Sequence, residues 1–214
     1  MRRALVLLAL LAALAGCGQR GGSDGALVSG VSNSGNDGYA GAKLDQPYTA
    51  PDVALTDTAD QPYSLVKNGS GKLSVVFFGY SKCPDVCQVV MGSLASAYAK
   101  LDAADKARTQ VVFVTTDPRR DTPAVLKTWL RRFDPAFIGL TGPLRTIEQV
   151  GDPLHVAIEK GQKLPSGGYD ITHSTSVLAL GGEGRVPLVW DGTTSPAQYA
   201  RDIHRLLTKD HAAP

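Results

Sequence analysis

The sequence lacks the features that several classes of protein depend on. It contains no run of basic residues interleaved with aromatic side chains, so no nucleic-acid partner is expected. The apolar run at residues 4–14 is shorter than the roughly 20 residues that a membrane-spanning helix needs. No internal repeat is present. Cysteine is scarce, with 3 residues in the whole chain, and their placement does not provide a generic disulfide framework.

Charge and length describe an ordinary globular protein. Lysine and arginine together number 22 against 20 aspartate and glutamate residues, and Arg2 and Arg3 account for the difference. A chain of 214 residues can form one domain of roughly 150–170 residues with additional segments at its ends. Because a domain of that size buries a core without help from a metal, we expect any metal here to serve function rather than folding.

The amino terminus has the layout of a secretory signal peptide, in which Arg2 and Arg3 precede the apolar run. The run ends in LAGC at residues 14–17, which resembles a bacterial lipoprotein box. That resemblance implies cleavage of a signal peptide at residues 1–16 and acylation of the Cys17 thiol. Since acyl chains bury many methylene groups, they would anchor the exported protein to the outer face of a bacterial membrane, at the cell membrane or on the periplasmic side.

Changes in composition divide the remaining chain into three segments. Residues 17–41 are rich in glycine and serine and show no sustained helical or strand period, so we predict a flexible, lipid-anchored tether. Residues 42–208 are predicted to form the folded domain. A short tail follows at residues 209–214.

The centre of the predicted domain is a strand–helix–strand unit. Leu73–Gly79 is a nearly continuous apolar run, which indicates a strand that is buried on both faces. Pro84 is typical of the first position of a helix, with Cys83 as the cap residue before it. Val111–Thr115 indicates a second buried strand, and the crossover connection predicts that it runs parallel to the first.

The flanking segments complete the predicted fold. Two hairpins are predicted, one from Asp52–Thr56 with Tyr63–Val66 and a C-terminal one from Ser174–Leu180 with Arg185–Trp190. Helices are predicted from Pro123 to about Phe133, from Leu144 to Ile158, and after a capping box at residues 195–198. The whole pattern predicts an α/β fold, a thioredoxin-like sandwich with a central mixed sheet, a C-terminal β-hairpin and flanking helices.

The chemistry of the sequence concentrates at Cys83 and Cys87, which lie between the first buried strand and the helix. Residues four positions apart share one face of a helix, so both sulfurs can approach one point and either close a disulfide or bind a metal ion. The helix N-terminus is expected to lower the pKa of the thiols. Lys82 is expected to act in the same direction and Asp85 in the opposite one.

Two thiolates suit Cu(I) or zinc but leave the ion incompletely coordinated, and imidazole suits copper as a further ligand. The chain offers 4 histidines, namely His155, His173, His204 and His211. His173 follows a glycine-rich stretch and precedes the predicted C-terminal hairpin. In a thioredoxin-like sandwich this loop packs against the start of the cysteine helix. We therefore favour His173 as the third ligand and regard the other three as surface histidines.

Several blocks of the sequence carry a family resemblance. FFGY at residues 77–80 is followed by CPDVC at residues 83–87, and DPRRDTP at residues 117–123, GLTG at residues 139–142 and a block at residues 169–174 come later in the chain. In this order, the blocks resemble those of the Sco/SenC family of copper chaperones, here in the form of a bacterial lipoprotein.

The resemblance implies a thioredoxin-like fold and one copper ion, as Cu(I) or Cu(II), held by Cys83, Cys87 and His173. It also implies a metallochaperone that delivers copper to the binuclear copper site of cytochrome c oxidase, with the apo copper-binding subunit of the oxidase as its partner. Oxidation of the two cysteines to a disulfide would remove both thiolate ligands. A thiol reductant or an upstream copper donor is therefore expected as a second partner.

Other functions could use the same residues. A thiol–disulfide oxidoreductase would use Cys83 and Cys87 as a redox pair to reduce the cysteines of an apo copper site, and it would not need His173. A copper sensor or storage protein would bind the ion without transferring it. Enzyme activity is therefore left open by the sequence. A peroxidase is not favoured, because the sequence shows no isolated nucleophilic cysteine with an activating threonine pattern.

Overall fold

A computed structural model of the protein describes residues 36–163, 169–173 and 175–209, with side chains described outside residues 159–173. The predicted signal peptide, the predicted lipidation site Cys17 and residues 210–214 of the predicted tail lie outside the described residues. Lys209, which was assigned to the tail, belongs to the last helix. None of the described helices is long and apolar enough to cross a membrane.

The described chain contains ten strands and five α-helices. The strands are β1 (Ala42–Thr49), β2 (Ala54–Asp57), β3 (Pro62–Ser64), β4 (Leu73–Gly79), β5 (Thr109–Thr115), β6 (Ile138–Thr141), β7 (Ile158–Lys163), β8 (Tyr169–His173), β9 (Val177–Leu180) and β10 (Arg185–Trp190). The helices are α1 (Val86–Lys100), α2 (Ala103–Arg108), α3 (Pro123–Leu130), α4 (Leu144–Gly151) and α5 (Pro196–Lys209). Eight strands form one sheet in the order β1-β10-β9-β4-β5-β6-β2-β3, and β7 pairs with β8 separately.

The two central strands, β4 and β5, are buried along their whole length. They pair in parallel, from Leu73 opposite Thr109 to Gly79 opposite Thr115. β6 lies parallel to β5 on one side, and β9 lies antiparallel to β4 on the other, so the sheet is mixed. Since side chains of a strand point alternately to the two faces, strands as apolar as these need cover on both sides.

Helices provide that cover. On one face, α1, α3 and α5 pack over a core that includes Phe77 and Phe113. On the other face, α4 packs over a core that includes Phe78 and Val112. Adjacent residues of the central strands thus belong to different cores. The resulting three layers confirm the predicted thioredoxin-like sandwich with a mixed central sheet.

Several predicted local elements are also confirmed. β2 and β3 form an antiparallel hairpin, and β9 and β10 form the C-terminal one. Thr122 caps α3, because its hydroxyl oxygen accepts a hydrogen bond from the Val125 N–H at 3.4 Å. At the start of α5 the Ser195 N–H donates to Gln198 Oε1 at 2.9 Å, as expected of a capping box.

The start of α1 differs from the prediction. The helix begins at Val86 and not at Pro84, and its cap residue is Asp85 rather than Cys83. The reason is a tight turn ahead of the helix, in which the Cys83 N–H donates to the Tyr80 carbonyl at 3.1 Å. This turn occupies the residues between the strand and the helix, so helical geometry starts later than the proline suggested.

The helix predicted for residues 144–158 is shorter than expected. α4 ends at Gly151 and is followed by a short 3-10 turn. Pro153 has no backbone N–H to continue the helix, and His155 adopts a left-handed conformation with a φ of 55°. The chain therefore leaves the helical path, and Ile158 begins β7 instead of ending a helix.

The glycine-rich stretch that was predicted to be a loop, residues 161–169, takes part in the β7–β8 pair at both of its described ends. The pairing shifts register between Lys160 and Lys163, so Gly161 is accommodated as a strand irregularity and does not end the strand. As a consequence, His173 is the last residue of β8 and not the residue that leads directly into the C-terminal hairpin.

The final residues assigned to the tether, Asn36–Gly41, already contact the domain. Asp202 of α5 is fully buried, and its Oδ2 accepts hydrogen bonds from the N–H groups of Ala40 at 2.9 Å and Gly41 at 3.0 Å. The same oxygen accepts from Trp190 Nε1 at 2.9 Å. One buried carboxylate therefore joins the start of the domain to β10 and α5.

Candidate metal centre

Cys83 and Cys87 lie where the chain leaves the carboxyl end of β4. Cys83 belongs to the connecting loop, residues 80–85, and Cys87 to the first turn of α1. The Cys83 Sγ accepts a hydrogen bond from the Cys87 N–H at 3.5 Å, and the two side chains are hydrogen-bonded to each other. Both are thiols, and only 5% and 0% of the two residues is exposed. The turn that ends at Cys83 and the first turn of α1 thus bring the two sulfurs together in a buried position.

The surroundings of the sulfurs oppose the lowering of the thiol pKa that the sequence suggested. The hydrogen bond with the Cys83 side chain and burial raise the pKa of Cys87 far above its ordinary value. A contact with the Tyr80 backbone acts in the opposite direction but does not offset them. The predicted influence of the helix N-terminus is therefore outweighed at Cys87, which keeps its proton at neutral pH in the metal-free protein.

Gly79, the last residue of β4, makes room for the Cys87 sulfur. A Cβ at this position would lie 2.9 Å from the Cys87 Sγ and 3.1 Å from ring carbons of both Phe77 and Phe113. The two rings are part of a close-packed core and have little freedom to move. A side chain at position 79 would therefore displace the sulfur, which means that glycine is required here by the packing of Cys87.

A fully buried carboxylate, Asp121, lies behind the cysteine loop. Its Oδ2 accepts from the Ser81 N–H at 2.8 Å and from the Thr115 hydroxyl at 2.7 Å, and its Oδ1 accepts from the Ser81 hydroxyl at 2.5 Å. The sequence alone did not identify Asp121 as a partner of this loop. A signal was nevertheless present, since Thr115 and Thr141 are polar residues at the ends of two successive strands and Ser81 follows the neighbouring strand by two residues.

The other histidines have partners away from the cysteine loop. Nδ1 of His204 lies 2.7 Å from Asp105 Oδ2. The ring of His155 packs against Tyr48, with 4.4 Å between the ring centroids. His204 and His155 are exposed, which agrees with the surface role expected of them. His211 lies outside the described residues.

The strand order places the segment that enters β9 at the cysteine end of the sheet. β9 pairs antiparallel with β4, so the segment that enters β9 runs beside the end of β4, from which the cysteine loop departs. A Cβ added at Gly192 would lie 3.1 Å from Thr175 and 3.4 Å from Val90 of α1, so Thr175 and the cysteine helix flank the same point. His173 stands two residues before Thr175, and its side chain lies outside the described part of the chain.

Among the described residues, one other group of potential metal ligands has its ligand atoms within 4.8 Å of one another, namely Asp102, Asp105 and His204. Asp102 accepts a hydrogen bond from the Asp105 N–H at 2.8 Å and thereby caps α2. Asp105 in turn pairs with His204. These contacts explain the arrangement without a metal ion.

Comparison with known proteins agrees with the fold. The sequence profile of SCO1/SenC matches residues 41–208. The chain belongs to the SCO1/SenC family. The family resemblance read from the sequence blocks is therefore confirmed. The match begins within the segment that Asp202 ties to the domain, so the family region and the described fold have nearly the same extent.

Individual SCO1/SenC relatives have the following similarity. A protein of Stutzerimonas stutzeri, whose name provisionally describes it as copper-binding, is 32% identical over 155 residues, 70% of this chain and 75% of the relative. Protein SCO2, mitochondrial, of Saccharomyces cerevisiae is 34% identical over 151 residues, 70% of this chain and 48% of the relative, so the chain spans about half of its length. The structure of Bradyrhizobium japonicum ScoI with copper bound matches with a TM-score of 0.66 and 29% identity, over 73% of this chain and 98% of that one.

Gly79→Ala is expected to disturb the sulfur pair. Because the added methyl group collides with the Cys87 Sγ, we expect Cu(I) affinity to fall by about tenfold or more and the free energy of unfolding to fall by about 1–3 kcal/mol. Competition with a Cu(I) chelator and urea denaturation measure the two effects.

The matched control is Gly92→Ala, also on the cysteine side of the fold, where an added Cβ meets nothing within 4 Å. This helix-interior variant should keep its affinity and be equally or more stable, since alanine favours helix over glycine. Wild-type affinity in Gly79→Ala would contradict the packing role of Gly79.

Proposed function

We propose that this SCO1/SenC protein is a copper metallochaperone that binds one copper ion through Cys83, Cys87 and His173 and delivers it to the binuclear copper site of cytochrome c oxidase. The observation that carries the proposal is the buried, hydrogen-bonded thiol pair beyond the end of β4. Ligands of α/β sheets are bound outside the carboxyl ends of their strands, which is where this pair lies. The copper-bound structure of Bradyrhizobium japonicum ScoI supports copper as the metal.

The donor atoms at this site favour a soft metal ion. Thiolate sulfur prefers Cu(I) over hard cations such as magnesium or calcium. Asp121 is the buried carboxylate beside this loop, and both of its oxygens already accept hydrogen bonds from Ser81 or Thr115. It is therefore not available as a hard ligand, and the pair of sulfurs determines the preference.

His173 is proposed as the third ligand on the basis of strand order. The antiparallel pairing of β9 with β4 directs the preceding segment to the end of the sheet where the cysteine loop lies. Thr175, two residues after His173, lies beside Gly192, and Val90 of α1 lies beside the same glycine. A histidine contributed from this direction would face a helix whose first turn carries Cys87.

The proposed transfer depends on access to the site from solvent. Lys82, Pro84 and Asp85 are exposed, so the loop that carries Cys83 reaches the surface although its sulfur is buried. An acceptor protein can approach this loop and add its own ligand to a three-coordinate copper ion. Exchange of one ligand at a time would then move the ion without releasing it into water.

The redox state of the cysteines would control loading. Oxidation of Cys83 and Cys87 to a disulfide releases two protons and two electrons and removes both thiolate ligands. Both residues are thiols in this structure, which is the state competent for metal binding. We therefore include in the proposal a thiol reductant, or an upstream copper donor, as a partner in the exported compartment.

A thiol–disulfide oxidoreductase is the competing function. Such an enzyme needs a thiolate as its nucleophile. The raised pKa of Cys87 works against that role for Cys87, so Cys83 would have to start the exchange. A bound cation can replace the Cys87 proton, so the buried pair is suitable for a metal site. The raised pKa of Cys87 thus suits a metal ligand better than a nucleophile.

Substitution of the three proposed ligands should separate these functions. The reduced wild-type protein is expected to bind about one copper ion per chain. Cys83→Ser and Cys87→Ser should each abolish tight binding, because the site has only two soft ligands and each variant removes one of them. His173→Ala should weaken Cu(I) binding by about tenfold or more. Metal analysis and chelator competition provide the measurements.

His204→Ala is the control, because this histidine pairs with Asp105, and its copper affinity should equal that of the wild type. Undiminished affinity in His173→Ala would show that the ligand assignment is wrong. Copper-loaded protein should also pass its ion to the apo copper-binding domain of an oxidase subunit under reducing conditions. Retention of the ion would favour storage over delivery.

Copper affinity is expected to increase with pH. The Cys87 thiol holds its proton far above the usual pH range, so binding must release that proton, and less acid favours binding. Each released proton makes the apparent affinity rise by about tenfold per pH unit, measurable between about pH 6 and about pH 8 by chelator competition. A pH-independent affinity would exclude displacement of the Cys87 proton.

We further propose that the protein is exported and anchored through lipidated Cys17. Cys17→Ser should move the protein from the membrane fraction to the soluble fraction of a bacterial host, because an acyl anchor supplies about 0.8 kcal/mol of binding free energy per buried methylene. Fractionation with an antibody against the domain is the measurement, and Ser23→Ala in the tether is the control. Membrane association of Cys17→Ser would contradict this anchor.

A further inference from the structure

We propose that Asp121 is the positioning residue of the copper site, whose buried carboxylate holds the cysteine loop against the ends of β5 and β6 and thereby sets the separation of the two sulfurs. This inference rests on the proposed function, since it concerns the same site. Asp121 does not touch the metal in this proposal. It acts through Ser81, which stands two residues before Cys83.

The contact with Ser81 restrains both the position and the orientation of the loop. The Ser81 N–H donates to Oδ2 at 2.8 Å and the Ser81 hydroxyl donates to Oδ1 at 2.5 Å, so one residue is held at two points by one carboxylate. Ser81, two residues before Cys83, is therefore fixed through both its backbone and its side chain.

The carboxylate is itself held by the central sheet. Thr115, the last residue of β5, donates its hydroxyl to Oδ2 at 2.7 Å. Thr141, the last residue of β6, donates its hydroxyl to the Asp121 carbonyl at 3.0 Å. The Asp121 N–H donates to the Asp117 carbonyl at 2.9 Å. Asp121 thus connects the ends of two core strands to the cysteine loop through hydrogen bonds.

The strand end from which the loop departs is held independently. The Gly79 carbonyl accepts from the Thr116 N–H at 2.7 Å and from the Thr116 hydroxyl at 3.2 Å. The loop is thus tied to β5 before Tyr80 and again at Ser81. With both points restrained, the remaining path to Cys83 is short, and the sulfur has little freedom to drift away from Cys87.

If Asp121 only stabilised the fold, its loss should affect copper binding no more than the loss of another buried carboxylate. Asp202 is the matched control for this comparison. Asp202 is also fully buried and also accepts three hydrogen bonds, but its donors are Ala40, Gly41 and Trp190, none of which belongs to the cysteine loop. Asp121→Ala and Asp202→Ala should both lower the unfolding midpoint. Only Asp121→Ala should weaken copper binding beyond that.

The first measurement is the Cu(I) affinity of the reduced proteins, at a temperature where each variant is fully folded. The second is the visible thiolate-to-copper charge-transfer band of the same proteins loaded with Cu(II). Asp121→Ala is expected to lose about tenfold or more in affinity and to shift the band, as is usual for residues that orient metal ligands. Asp121→Asn should restore most of the affinity, because an amide can accept from the Ser81 N–H and donate to its hydroxyl oxygen. Asp202→Ala should match the wild type.

Each alternative result has a distinct meaning. Wild-type affinity in Asp121→Ala, or an equal loss in Asp202→Ala, overturns the positioning role. Failure of Asp121→Asn to restore affinity overturns the hydrogen-bonding mechanism. If Asp121→Ala does not fold, Ser81→Ala takes its place and should show a smaller loss in the same direction, with wild-type affinity counting against the inference. Absence of copper binding by the wild type refutes the proposed function instead.

Discussion

The parallel pairing of β4 with β5 is the constraint on which the candidate centre depends. Its register ends with Gly79 opposite Thr115, so the two chains leave the sheet side by side. One of them continues into the cysteine loop and the other into the segment that carries Asp121. Because both strands are buried along their whole length, this register cannot slip without moving apolar side chains to the wrong core. The core therefore fixes the point at which the cysteine loop begins.

Burial gives the sulfur pair its chemistry. Cys87 is enclosed by the core below Gly79, and Cys83 is almost as deeply buried although its neighbours are exposed. Desolvation and the hydrogen bond between the two side chains favour the protonated form. A soft cation that replaces the Cys87 proton removes this penalty. The packing thus suits a site in which the Cys87 thiol stays protonated until a metal ion binds.

Parts of the fold and of the site could be predicted because their causes are local. The apolar run at Leu73–Gly79 predicted a central strand. The sulfurs of Cys83 and Cys87 meet as predicted, but through the turn ahead of α1 and not through helical spacing, because Cys83 lies before the helix. Local signals were misleading where a competing contact decided the outcome. Pro84 suggested a helix start, but a turn at residues 80–83 comes first. Gly161 suggested a loop, but strand pairing accommodates it with a shift of register.

The sequence by itself determined the family, through the order of its motif blocks, and the sandwich of strands and helices, because hydrophobic periodicity acts over a few residues. Only the tertiary structure decided what surrounds the two cysteine sulfurs. Ser81 and Asp121 are 40 residues apart and Ala40 and Asp202 are 162 apart, and hydrogen bonds over such separations exist only after the strands have paired. The raised pKa of Cys87 has the same origin, since burial is a property of the assembled core and not of the residues that flank a cysteine.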